Sequence, residues 1–303
     1  MRKHIARTLL AAAAVGVTVT TFGFTAASAA SAASTARAGS ILNPPSGGAP
    51  IYTMANCGNF KGPINGPAAP PGCAMSGYQA SGRDFRFAQA VIAVPTTNGG
   101  FGSPSFYIGL NDGILGPASD PNGFAHAGLE PCPINVDTCP NGWEGFYQVE
   151  ENGTPGVFVR VRLAGVAGGD GVFFSVYFNS VGNAVRFVVT LPDGTSTGQT
   201  VAVNGSVYTT AVAVTDWSQF GSGPAAPVAN TRLTQFLQGR FSTLSGQQGT
   251  FEGPWTLNPV EATSNGFAPP SGTLISAPSF LWTDGNSFKG LPGDAFGVWL
   301  YNP

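Results

Sequence analysis

Apolar and polar side chains alternate along most of this chain, and the alternation predicts strands. Val157, Val159, Val161 and Leu163 fall on one face, with Phe158, Arg160 and Arg162 on the other, because successive side chains of an extended chain point to opposite sides. Val172, Phe174, Val176 and Phe178 repeat the pattern after Gly168-Gly169-Asp170-Gly171. Val185, Phe187, Val189 and Leu191 repeat it again before Pro192-Asp193-Gly194, with Val201 and Val203 beyond. Gly-Gly and Asp-Gly between such runs supply the positive φ that tight hairpins need. Upstream, one run extends from Asp84 to Val94 and stops at Pro95. A second, from Phe106 to Leu110, ends at Asn111-Asp112-Gly113. Further runs cover Phe124 to Leu129, Trp143 to Glu150, Tyr208 to Trp217, Leu274 to Trp282 and Phe296 to Tyr301. Only Leu233, Phe236 and Leu237 have helical spacing. The fold class expected is all-β: an antiparallel two-sheet β-sandwich, a concanavalin-like jelly roll, with at most one short helix.

The amino terminus breaks this pattern. Arg2, Lys3 and Arg7 precede an apolar stretch from Leu9 to Val19, and Ala27-Ser28-Ala29 offers small residues for cleavage. That layout reads as a secretory signal over residues 1–29, too short and too interrupted by threonines for a membrane span. A secreted, extracellular protein is expected. Residues 30–75 are rich in Ala, Ser, Pro and Gly and read as a lead segment, leaving 76–303 as the sandwich domain.

Export sets the reading of the cysteines. Four in an exported chain suggest two disulfides, with Cys57–Cys73 and Cys132–Cys139 the shortest loops among three possible connectivities. Their spacing does not suit zinc, and His126 would be the only histidine left after cleavage. No metal or other cofactor is expected. Losing Arg2, Lys3 and Arg7 would reduce the 13 basic residues to ten against 15 acidic ones. With no basic stripe to neutralise phosphates, nucleic acid is not a partner this composition favours. A monomer is expected.

Several runs, taken in order from Gly77 to Tyr301, resemble the glutamic peptidases, the eqolisin family. Arg86-Phe87-Ala88-Gln89-Ala90 through Val94-Pro95 is similar to that family's opening strand. Phe106-Tyr107-Ile108-Gly109-Leu110 is similar to its Trp-Val-Gly-Ile strand, and Phe124-Ala125-His126-Ala127-Gly128 falls at its Gln-Thr-Gly strand. Trp143 to Glu150 resembles its aromatic strand, Gly169-Asp170 its Gly-Asp motif, and Thr210 to Trp217 its Ala-Glu-Phe-Ile strand. The resemblance implies a sandwich of two curved sheets with a cleft across one. It also implies a glutamate that activates water and a glutamine that holds the oxyanion. Here the glutamine position reads His126 and the glutamate position Val212, while Gln148 replaces a glutamate of the aromatic strand. An alkyl group cannot move a proton, so the family's catalytic pair is not retained.

Two functions follow as expectations. One is a non-catalytic protein that binds extracellular peptide or polysaccharide in the cleft, with Tyr107, Asp112 and Asp216 as binding residues. The other is an acid-tolerant endopeptidase with a rearranged site of His126, Gln148 and Glu130, in which the imidazole serves as acid or base. Asp216 shares a strand face with Val212 but lies about 13 Å along it, at ~3.3 Å per residue.

Overall fold

The structure is a computed structural model that describes residues 48–54, 75–96, 104–111, 123–132, 139, 142–151, 154–205, 207–217, 234–263, 269–272, 274–280 and 294–300. The expected signal segment, the Cys57–Cys73 pair and Asp112 lie outside them. The described residues form strands β1 (Ile51–Met54), β2 (Met75–Ser81), β3 (Phe85–Ala93), β4 (Ser105–Leu110), β5 (Phe124–Pro131), β6 (Trp143–Glu151), β7 (Thr154–Val161) and β8 (Gly171–Asn179). They continue with β9 (Ala184–Thr190), β10 (Ser196–Ala202), β11 (Ala211–Asp216), β12 (Thr234–Thr243), β13 (Gln248–Gly249), β14 (Thr256–Thr263), β15 (Leu274–Phe280) and β16 (Phe296–Leu300). No helix among the described residues is long and apolar enough to cross a membrane.

The hydrogen-bonded path runs β10-β9-β8-β3-β12-β16-β15-β14-β2-β11-β4-β5-β6-β7. It folds back on itself as a two-layer sandwich. β10-β9-β8-β3-β12 make one layer, β14-β2-β11-β4-β5-β6-β7 the other, and β16 and β15 carry the pairing round between them. All pairs are antiparallel except β1, which lies parallel to β14. The alternating residues meet between the layers. Ala88, Ala90, Ile92, Phe174, Val176 and Phe187 pack with Phe106, Ile108, Ala125, Ala127 and Tyr147 in one core. Tyr147 of β6 stacks on Phe187 of β9 at 5.0 Å, which fixes how the layers face each other.

The helical spacing at Leu233, Phe236 and Leu237 does not produce a helix. Phe236 and Leu237 belong to β12, where pairing with β3 shifts register between Leu237 and Arg240. Gln238 there takes φ 53°. The extra residue of this bulge lets Phe236 and Phe241, five positions apart, both face the core, while Leu237, half-buried, points to the other side; Leu233 lies outside the described residues. β2 and β14 were not legible as strands. β2 begins at the end of the Pro/Gly-rich lead, and Pro259 interrupts β14 opposite Tyr78.

Candidate functional site

The second layer's outward face carries every described candidate residue. Cross-strand pairing sets Gln79, Val212, Gly109, His126, Gln148 and Phe158 in one row across β2, β11, β4, β5, β6 and β7. His126 and Val212, 86 positions apart in the chain, therefore stand in the same row with only Gly109 between them. None of the six side chains is a carboxylate.

His126 is 4% exposed and its ring lies between two others, with Tyr107 and Phe124 each at 4.4 Å. Glycines make the Tyr107 stack possible. Tyr107 stands opposite Gly128 and His126 opposite Gly109, so each ring leans over a backbone without a side chain. A Cβ on Gly109 would come within 2.3 Å of His126 Cδ2, and one on Gly128 within 2.7 Å of Tyr107 Cβ. His126 Nε2 lies 2.8 Å from the Asn111 carbonyl oxygen. A carbonyl only accepts, so Nε2 carries a proton and donates it to this bond.

Asn111 closes β4 with φ 50°. Its Oδ1 accepts from the Thr209 and Thr210 amides at 2.9 and 3.1 Å, and its Nδ2 donates to the Gly123 carbonyl at 3.1 Å. The sequence marked this asparagine only as a turn residue, whereas its side chain joins three segments beneath the histidine.

Tyr107 OH donates to Asp216 Oδ2 at 3.4 Å, and Asp216 is 2% exposed. His126, Tyr107, Asp216 and Gln148 are thus brought together on one face. Glu130 shares that face but is held in another cluster. It pairs across the strands with Glu144, and Arg160 Nε lies 2.9 Å from Glu130 Oε1 and 2.7 Å from Glu144 Oε1. The single Nε–H is directed at Glu130, so charge rather than a directed bond holds Glu144 Oε1. Burial pushes the Glu130 carboxyl up to about 7; Arg160 opposes that shift, and Glu144 adds to it. Glu144 and Arg160 did not figure in the expected site because their link to Glu130 depends on pairing between strands.

The centre of this face is closed. Val212 is fully buried, packed with Met75, Tyr107, Phe146, Val214 and Val260 in a second apolar cluster. Among the described residues the face is open towards β7, where Phe158 is 40% exposed, stacks on Phe146 at 5.9 Å and has the Arg160 guanidinium 5.2 Å above its ring. The Cys132–Cys139 disulfide joins the end of β5 to the start of β6, as expected. Those two sulfurs and a Glu144 oxygen lie within 4.8 Å of one another. Both sulfurs are bonded, so they are not thiolate ligands.

Neither a protein-family model nor a curated protein matches the sequence. Among solved structures the chain is similar to scytalido-glutamic peptidase with a transition state analog inhibitor. The TM-score is 0.53 at 14% identity, covering 75% of this chain and 98% of that one. It is also similar to SCP-B, a member of the Eqolisin family of peptidases, in complex with the tripeptide Ala-Ile-His. There the TM-score is 0.50 at 14% identity, with the same coverage. The likeness is one of fold, and the fold is a glutamic-peptidase-like β-sandwich.

Proposed function

We propose that the chain is an exported protein that binds an extracellular peptide or polysaccharide on its cleft face and does not cleave it by the acid-peptidase route. One observation carries this reading. The position that the resemblance assigns to the proton-shuttling glutamate is Val212, fully buried in apolar contacts in the same row as His126. No carboxylate stands in that row, and its one titratable side chain, His126, is buried between two aromatic rings. The ligand surface is the part of the row that solvent reaches, Gln148 and Phe158 with Arg160 beside them. An aromatic ring flanked by an amide and a guanidinium offers stacking and hydrogen bonds to a ligand. SCP-B, of similar fold, holds a tripeptide, which supports peptide as one ligand class.

The test pairs turnover with binding. Purified protein is incubated with denatured protein substrates from acid to neutral pH, beside His126→Ala and Glu130→Ala variants. The same preparation is assayed for retention on insoluble glycans and on immobilised peptides. Retention that Phe158→Ala abolishes, without turnover, supports the proposal. Turnover that disappears in either site variant overturns it in favour of a hydrolase.

A further inference from the structure

The two layers differ sharply in charge. The strands β10, β9, β8, β3 and β12 contain Arg86, Arg186 and Arg240 and no acidic residue. The strands of the other layer contain Glu130, Glu144, Glu150, Glu151, Asp216 and Glu261 against Arg160 alone. A protein with more acidic than basic residues has therefore gathered positive charge on one sheet.

That sheet's outward face is also apolar. Phe87, Phe173 and Val188 point away from the core and are half-buried, while Tyr177 is 38% exposed. Pairing places Tyr177 between Phe87 of β3 and Arg186 of β9, with directly opposed Cβ atoms about 5 Å apart. Arg240 of β12 stands opposite Gln89. Arg186 and Arg240 are exposed and make no hydrogen bond or ion pair among the described residues. Three inter-strand spacings separate β9 from β12, so the two cations stand about 14 Å or more apart.

We propose that this face is a second binding surface, separate from the cleft face, for a carboxylate-bearing polysaccharide. A uronate unit combines an apolar ring face with a carboxylate on the same ring. The neighbouring Tyr177 and Arg186 match those two features, one by stacking and the other by a charge-assisted bond. The distance to Arg240 exceeds a single sugar, which selects a polymer. An extended peptide would instead pair its backbone with a strand edge. Here the backbones of β3, β8 and β9 are bonded on both sides within the layer, and only side chains face outward.

The test uses the full chain with polygalacturonate, the same polymer with its carboxyls reduced, and polyglutamate, followed by calorimetry and co-sedimentation. Binding is expected to polygalacturonate, to weaken as salt rises, and to disappear for the reduced polymer. The Arg186→Ala/Arg240→Ala double variant and Tyr177→Ala should each lose about tenfold or more in affinity, at surface positions that leave the core intact. Phe158→Ala on the other layer should leave this binding unchanged, so failure here is distinguishable from failure of the cleft reading. Equal affinity for the reduced polymer, tighter binding of polyglutamate, or no binding by the folded chain would each overturn the proposal. Self-association removed by Tyr177→Ala would also do so, because it would assign the face to a second copy.

Discussion

Tyr107 and His126 stack at 4.4 Å because each stands opposite a glycine on its partner strand, Gly128 and Gly109 respectively. Two rings on adjacent strands would otherwise compete with the side chains facing them. The glycines remove that competition and let the rings overlap diagonally.

Gly109→Ala should therefore act through the stack. The added Cβ would lie 2.3 Å from His126 Cδ2 and 2.6 Å from the Ala125 carbonyl oxygen, and the backbone neighbour cannot rotate away. A loss of about 1–3 kcal/mol is expected, read as a lower urea midpoint with unchanged slope. His126→Ala in the same background should recover part of that loss, since it removes one of the two clashes.

Asn111→Ala removes acceptors from the Thr209 and Thr210 amides and a donor from the Gly123 carbonyl, and puts alanine at φ 50°. The buried Thr210 amide left without this acceptor costs about 1–3 kcal/mol. A loss of several kcal/mol is expected. Asn111→Gly should recover only the backbone part, as chemical denaturation of both variants will show.

The Glu130 carboxyl, raised from 4.5 to about 7 by burial with help from Glu144, makes stability depend on pH in a defined direction. The folded chain holds this proton more tightly than the unfolded chain. Stability from it is fully present below about 4.5 and is lost as pH rises through about 7, by up to roughly 3 kcal/mol. Denaturation midpoints should fall across that window. Glu130→Gln, which keeps the neutral shape, should flatten the slope, and an unchanged slope would refute the assignment.

Val212→Glu would place a carboxylate among Met75, Phe146, Val214 and Val260. Charging it there should destabilise the fold at neutral pH by about 3 kcal/mol or more. The loss should shrink in acid, where the carboxyl is neutral. Thermal melts of the variant at both pH values, against the parent protein, measure the difference.

What could be read in the chain divides along the range of the forces involved. Alternation is local, so the runs at Val157–Leu163, Val172–Phe178 and Val185–Leu191 were legible as strands together with the faces they bury. Turn glycines marked the hairpins. Where a local signal was overridden, the reading failed: Pro259 hid β14, and adjacent apolar residues Phe236 and Leu237 looked helical although β12 points them to opposite faces. The candidate site was half legible. The residue types at His126, Gln148 and Val212 were plain.

The sequence by itself determined an all-β chain of alternating strands and the absence of a proton carrier at Val212, because side-chain period and residue chemistry are properties of each position. Only the tertiary structure decided that Val212 and His126 share a row, that Arg160 spans Glu130 and Glu144, and that the centre of that outward face is buried. Each of these depends on the register between strands far apart in the chain, and register is set by how the two layers pack.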